Sequence, residues 1–434
     1  MKKVFIYVLA VVLFHVCMTT YADIGKTTTH KITHTDDKIS ILPKTNINGD
    51  IRTYYFTRDY SNPSMNNQSA FSLGGKLNLL TEPFLNGFRV GGTLYLAQPL
   101  GLNSKTYSRV DNTLPGSPIT TLGQAYAQYQ NTYILGRLGD QLITTPWVNP
   151  ADSRMIPATY QGVYLSVTPT KDITFSAMRL IRFKSRTSST FTQSNLYNPA
   201  NTGGTSITAL GNKIDIGTLA FGVQYMHDTL LAEVWGYRFY NFVRLGYGDM
   251  SYTWKTGKMI NPILGVQVAN EWNDGSNILQ SVGAGTTQGS SYGVLAGAEI
   301  AEGKMTLAFD KIPKHPGGFQ NGDVISPYTS GYAADSLYTT SMIAGLIEKA
   351  AGSAIKVAGE YLLFNKQLHL LVSYAKYNTD PYAHSTNETD FDVTYMPNGV
   401  LKNLSLRDRI GFLNGDTKEG HFVYNRVMLQ YDFS

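Results

Sequence analysis

The run from His421 to Ser434 alternates with a period of two. Val423, Val427, Leu429, Tyr431 and Phe433 share one parity, and Tyr424, Arg426, Gln430 and Asp432 share the other. A strand with that alternation shows one face to an apolar medium and the other to water or polar groups. The pattern recurs. Over 69–81, Phe71, Leu73, Leu77 and Leu79 oppose Ser72, Gly74, Lys76 and Asn78. Over 86–98, Phe88, Val90, Leu94 and Leu96 oppose Arg89, Thr93 and Tyr95, and over 120–130 Gln124, Tyr126, Gln128 and Gln130 line the polar side. Over 401–413, Leu404, Leu406, Ile410 and Phe412 oppose Ser405, Arg407, Arg409 and Gly411.

Short links such as Glu82-Pro83-Phe84, Asn131-Thr132, Thr256-Gly257-Lys258 and Asn365-Lys366 alternate with long ones near 99–118, 140–158, 184–211, 271–288, 312–352, 378–388 and 414–419. Alternating short and long links between amphipathic strands predict an all-β fold, a transmembrane antiparallel β-barrel of about 18 strands. Such barrels close on a strand with an aromatic residue near its end, as Phe433 is here. The barrel spans 47–434 as one domain, because its strands share a single wall. A wall this wide leaves an open lumen unless loops fold into it.

The N-terminus sets the compartment. Basic Met1-Lys2-Lys3, apolar Val4 to Val16, and Thr20-Tyr21-Ala22 before Asp23 read as a secretory signal peptide over 1–22. The apolar core is shorter than the roughly 20 residues of a spanning helix. Its removal takes away the only cysteine, Cys17, and with it disulfides and thiol chemistry. It also leaves 34 basic against 31 acidic residues, a net charge of +3. That excess is too small to argue for a nucleic-acid partner. Residues 23–46 form a polar N-terminal extension on the periplasmic side, and its His30 and His34 read as solvated rather than metal-binding. No cofactor or metal motif stands out elsewhere.

Gly136 to Gly162 reads G-R-L-G-D-Q-L-I-T-T-P-W-V-N-P-A-D-S-R-M-I-P-A-T-Y-Q-G. Pro146, Pro150 and Pro157 rule out a regular strand across it. Asp152, Ser153 and Arg154 lie among Trp147, Val148, Met155 and Ile156, more apolar surface than a solvated loop carries, so the loop is expected to fold inward. Here the chain resembles the OprD family of outer-membrane porins, whose third external loop carries a T-P…D-S-R-M-L-P-like stretch after a G-R-Q strand end. Leu138 departs from that Gln. The resemblance extends to N-G-D-I-R-T-Y-Y-F-T-R-D-Y (48–60), S-L-Y-T-T-S-M-I-A-G-L-I (336–347), E-Y-L-L-F-N-K-Q-L-H-L-L-V-S-Y-A-K-Y (360–377) and L-K-N-L-S-L-R-D-R (401–409). It implies an eighteen-stranded channel in the outer membrane of a Gram-negative cell. The third and seventh loops constrict it, and it passes small solutes with a frequent preference for carboxylates.

The wall can be read independently. A charge on the lipid face near the midplane costs about 2–4 kcal/mol, so Arg407 and Arg409 point into the lumen. The same test turns Arg426 and Arg52 inward, and with Lys76 and Arg89 they form a basic patch around the barrel closure. Such a patch resembles the family's basic ladder: several weak bidentate sites in a row let a carboxylate pass without trapping it. The competing reading is that these groups pair with acids such as Asp152 or Asp310. Asp408 falls on the outward parity, which asks for a place near the rim or a register shift. Arg179 shares the parity of Ile173, Phe175 and Ile181, so simple alternation fails there.

The seventh long segment, 312–352, is rich in Pro and Gly, while Tyr328, Tyr332, Leu337, Tyr338, Met342 and Ile343 give it a packing face. Ser336 to Ala350 suits a short helix or plug, inside the lumen or as an external cap. With Asp152, Ser153, Arg154 and Asp310, Tyr338 completes the expected constriction. Three other functions compete with a carboxylate channel: an oligosaccharide-selective porin, a plugged barrel acting as an adhesin, and a hydrolase. His369 is inward by parity, but no serine nucleophile pattern surrounds it. The expected partners are outer-membrane lipid and small solutes, with weak association between barrels left open.

Overall fold

A computed structural model describes residues 44–111, 113–197, 217–329, 334–347, 349–379, 385–415 and 420–434. The expected signal peptide, Cys17, His30, His34 and all of the extension but its last residues lie outside the described residues. Eighteen strands run in chain order. The first six are β1 (Thr45–Tyr60), β2 (Gln68–Thr81), β3 (Phe88–Gln98), β4 (Ile119–Gln130), β5 (Ile134–Gln141) and β6 (Thr159–Thr170). Then come β7 (Ile173–Lys184), β8 (Thr218–His227), β9 (Leu230–Phe239), β10 (Val243–Thr253), β11 (Ile260–Asn273) and β12 (Ser290–Ile300). The last six are β13 (Gly303–Ile312), β14 (Gly352–Leu363), β15 (Leu368–Thr379), β16 (Thr386–Tyr395), β17 (Leu404–Asn414) and β18 (Phe422–Phe433).

Each strand pairs antiparallel with its chain neighbours, and β1 pairs with β18, so the sheet closes on itself. Closure leaves no unpaired edge, the condition for strands to cross a bilayer. Outward positions stack apolar side chains across strands, Val223 opposite Val234 and Val266 opposite Val294, and all four are exposed. Inward positions carry buried polar and aromatic groups, such as Tyr54, Thr93, Gln124 and Tyr377.

The first strand begins at Thr45, two residues before the predicted Ile47, because Thr45 and Asn46 pair with Thr81 and Leu80. Two links at the long-loop end, 61–67 and 240–242, are absent from the predicted set because they are too short to stand out. The register shifts between β3 and β4 at Thr93/Leu94, where Gly123 is the extra residue. A Cβ at Gly123 would come within 2.0 Å of the Tyr95 ring, so the bulge needs glycine. A second shift lies between β6 and β7, where Ile181 is extra. At Asp408 there is no shift. It keeps its outward parity and accepts a hydrogen bond from Asn425 Nδ2 at 2.7 Å.

Candidate solute pathway

The link from β5 to β6, residues 142–158, turns on side-chain to backbone bonds. Thr145 N–H and Oγ1 both donate to the Val148 carbonyl, and the Asn149 side chain accepts from Ala151 N–H. Those turns aim the apolar residues at one another. Trp147, Val148, Met155 and Ile156 are all buried, and Trp147 meets the Tyr247 ring edge-on at 5.9 Å. Burying four such side chains is the largest stabilising contribution to this loop.

The same loop is tied to inward-facing wall residues. Arg52 donates to Asp152 Oδ1 at 3.0 Å and to the Arg154 carbonyl. Tyr54 Oη donates to the Ser153 carbonyl at 3.1 Å. Lys76 Nζ lies 3.2 Å from Asp50 and 3.7 Å from Asp152. The Arg154 guanidinium is buried over the Phe56 ring at 4.9 Å and donates to Tyr424 Oη at 3.0 Å. The third loop therefore lies against the inner wall.

Asp310 is not a loop residue. It belongs to β13, on the inward parity of Ala308 and Ile312, and it anchors the seventh loop. Its Oδ2 accepts from both Thr339 N–H and Thr339 Oγ1 at 2.7 Å, and its Oδ1 accepts from Gln267 at 2.9 Å. Tyr338 Oη donates to Asp249 at 2.5 Å. Burial first, and the neighbouring Asp249 carboxylate second, push the Tyr338 phenol well above its ordinary range, so it stays protonated.

No helix forms among the described residues of 336–350. The backbone amides that a helix would use are taken by wall carboxylates. Met342 N–H donates to Asp390 at 3.1 Å, and Ile343 and Ala344 N–H donate to the two oxygens of Glu388 at 2.7 Å each. The loops also meet each other: Asn149 Nδ2 donates to the Ala334 carbonyl at 3.0 Å, and Ser336 Oγ donates to the Pro146 carbonyl.

The predicted wall cations do come from neighbouring strands around the closure. Arg409 sits opposite Arg426, with Arg407 two residues further along β17. Arg407 binds Asp392 through two nitrogens, at 2.8 and 2.5 Å, and Arg409 Nε lies 2.9 Å from the same carboxylate. Arg426 is buried over Tyr424, at 4.2 Å from the ring centre, and donates from Nη2 to the Met342 carbonyl at 3.3 Å. Its Nε and Nη1 have no hydrogen-bond acceptor. Arg89 stands apart on β3, inward opposite Gln128, its Nε also unmatched.

Pairing with acids accounts for part of the patch: Asp152 takes Arg52 and Lys76, but Asp310 takes no arginine. The pairing acids missed by sequence reasoning are Asp50, Asp111 and Asp392. Asp392 falls with Glu388 and Asp390 on the inward parity of T-N-E-T-D-F-D-V-T-Y, so its signal was present. Arg58 was missed too. It lies over Tyr424 at 4.9 Å and 3.3 Å from Asp111. His369 faces Glu360 at 3.3 Å.

No curated protein matches the sequence. Residues 120–340, just over half of the 434, match the model of a family described as outer membrane porin, OprD family. Solved structures match the fold over 90% of this chain. A BenF-like porin from Pseudomonas fluorescens Pf-5 is 16% identical, with TM-score 0.75 and 98% of its own chain covered. Pseudomonas aeruginosa OpdK with vanillate is 16% identical, with TM-score 0.75 and 99% covered. Acinetobacter baumannii OccAB3 is 15% identical, with TM-score 0.74 and 99% covered. The chain belongs to the OprD family of outer-membrane porins, as an outer-membrane channel for small solutes and not an enzyme.

Proposed function

We propose that this porin favours small solutes bearing a carboxylate, such as amino acids or organic acids, and leads them by passive diffusion along the basic wall between the third and seventh loops. The observation that carries this reading is a charge excess at the closure. Seven cations (Arg52, Arg58, Lys76, Arg154, Arg407, Arg409, Arg426) stand among six carboxylates, of which Asp50, Asp111, Asp152 and Asp392 pair with them while Glu388 and Asp390 are taken up by seventh-loop amides. A buried guanidinium with unmatched donors costs about 1–3 kcal/mol or more, and its uncompensated charge favours an anionic solute at the exposed cations beside it. Arg407 and Lys76 retain 36% and 30% exposure, enough to meet a solute. Because each is already shared with a carboxylate, the solute is held weakly enough to leave. The structure of OpdK with vanillate supports the same solute class by analogy.

The test is single-channel recording in a planar bilayer, on wild type and on Arg407→Ala/Arg409→Ala/Arg426→Ala. The variant is expected to lose most of its anion preference and to require at least ~10-fold more carboxylate for block, the loss of one good charged contact. A conducting pore indifferent to all three changes would leave the porin and remove the basic pathway. A folded barrel that conducts nothing would favour the plugged-adhesin reading.

A further inference from the structure

The inner wall carries a second pair of arginines, remote from the barrel closure. Arg89 stands opposite Gln128 and Gln128 stands opposite Arg137, so the three form one row across β3, β4 and β5. All are on the inward parity, with Gln128 buried and both arginines partly exposed. Arg89 is second in β3 and Arg137 fourth in β5, counted from the short-link end, which is periplasmic in outer-membrane barrels. Lys76, the closure cation on the strand beside β3, faces Tyr95, six residues and roughly 20 Å of strand from Arg89. The two groups of cations are separate.

What surrounds the pair is neutral. Arg137 donates from Nε and Nη2 to Gln128 Oε1, at 3.1 and 2.7 Å, and Gln128 Nε2 donates to Gln130 Oε1 at 2.9 Å. The polar side chain opposite Arg89 has thus given its acceptor to Arg137. Arg89 makes no hydrogen bond among the described residues, and its Nε is buried. Neither arginine has an ion-pair partner among the described residues, and Glu82, in the turn before β3, is exposed and pairs with neither. At the closure, by contrast, Arg52, Arg58, Lys76, Arg407 and Arg409 each lie on a carboxylate. A guanidinium stays charged at any working pH, so this row holds two uncompensated positive charges.

Local packing turns the two groups toward each other. The Tyr126 ring lies on Gly91, where a Cβ would come within 2.3 Å of it, so glycine leaves the ring its place against β3. Arg137 stacks over that ring, 4.4 Å from its centre. The stacking draws its guanidinium from β5 across β4 toward β3, where Gly91 is two residues from Arg89. Two strand spacings are about 10 Å, a gap that two arginine side chains leaning together close. A carboxylate presents two oxygens in one plane, which matches the guanidinium fork. At this row no protein carboxylate competes for the forks.

We propose that Arg89 and Arg137 form a second carboxylate station near the periplasmic mouth, which receives the solute below the constriction and fills directly from the periplasmic side. It rests on the carboxylate preference proposed above and adds a site apart from the closure. The probe is benzoate, added to one side at a time of single oriented channels in a planar bilayer at fixed ionic strength. Periplasmic benzoate is expected to block wild type, and Arg89→Gln/Arg137→Gln to raise the half-blocking concentration from that side at least ~10-fold. The external-side value, set first by the closure cations, is expected to shift less than about threefold. No change on either side would overturn the proposal, and so would an equal rise on both. Wild type blocked from the external side alone would overturn the station and leave the closure pathway standing, and block from the periplasmic side alone would do the reverse. Wild-type crystals soaked in para-bromobenzoate give a readout that needs no variant. An anomalous bromine peak beside Arg89 and Arg137 is expected, and its absence would overturn the proposal.

Discussion

Glu388→Ala/Asp390→Ala is expected to raise the single-channel conductance several-fold. These two carboxylates accept three consecutive backbone amides of the seventh loop, from Met342, Ile343 and Ala344. A typical hydrogen bond contributes about 0.5–1.5 kcal/mol, so losing three together removes a large part of the loop's hold on this wall. The alanines also leave the three amides buried without acceptors, and the segment satisfies them by moving toward water. Gly411 on the neighbouring strand leaves room for the loop to sit so close to the wall. A Cβ there would come within 2.6 Å of the Met342 methyl and 2.8 Å of Ile343. The control is Glu388→Gln/Asp390→Asn, which keeps carbonyl acceptors and removes both carboxyl groups. It should keep a conductance near wild type while shifting selectivity toward anions. Equal conductance in the alanine variant and wild type would mean that the remaining wall contacts, from Asp310, Asp249, Lys356, Tyr377 and Arg426, suffice to hold the loop.

Much of this architecture was legible before any coordinates, because a barrel wall between lipid and lumen imposes a period of two on every strand. The parity of Arg407, Arg409 and Arg426 and the strand count follow from that alone. What alternation cannot supply is partnership. Nothing local to Asp152 points to Arg52, a hundred residues away, or to Lys76. Asp310 was placed with the loop because its distance from Ile312 is short and its partners are loop groups, yet the ladder with β14 continues through Ile312. Of the short helix or plug read from Ser336 onward, no helix forms among the described residues, since buried carboxyl groups take the amides that i−4 carbonyls would otherwise accept from. Arg179 broke the inward rule because its guanidinium turns back along the wall, donating to the Leu180 and Thr218 carbonyls and lying over the Tyr240 ring.

Trp147→Ala is expected to release the third loop. The indole is fully buried and lies edge-on to Tyr247, at the centre of the packing with Val148, Met155 and Ile156. Truncating a buried tryptophan costs about 3–5 kcal/mol. The ties to the wall near the barrel closure that remain are Arg52 to Asp152, Tyr54 to the Ser153 carbonyl, and Arg154 to Tyr424, all in the C-terminal half of the loop. The half around Trp147 keeps Tyr160 on the Asn149 carbonyl and two bonds to the seventh loop, at Pro146 and Asn149, so it loses most of its hold and swings away first. Arg154 provides the readout. It is the only basic residue in 142–158, it is buried in the wild type, and the bond after it is one that trypsin cuts. Limited trypsin treatment of the folded variant should cleave there while the wild type resists, and the conductance should rise in parallel. An intact Arg154–Met155 bond with unchanged conductance would place the loop's anchorage in the arginine contacts instead. In that case Arg52→Ala would open it where Trp147→Ala did not.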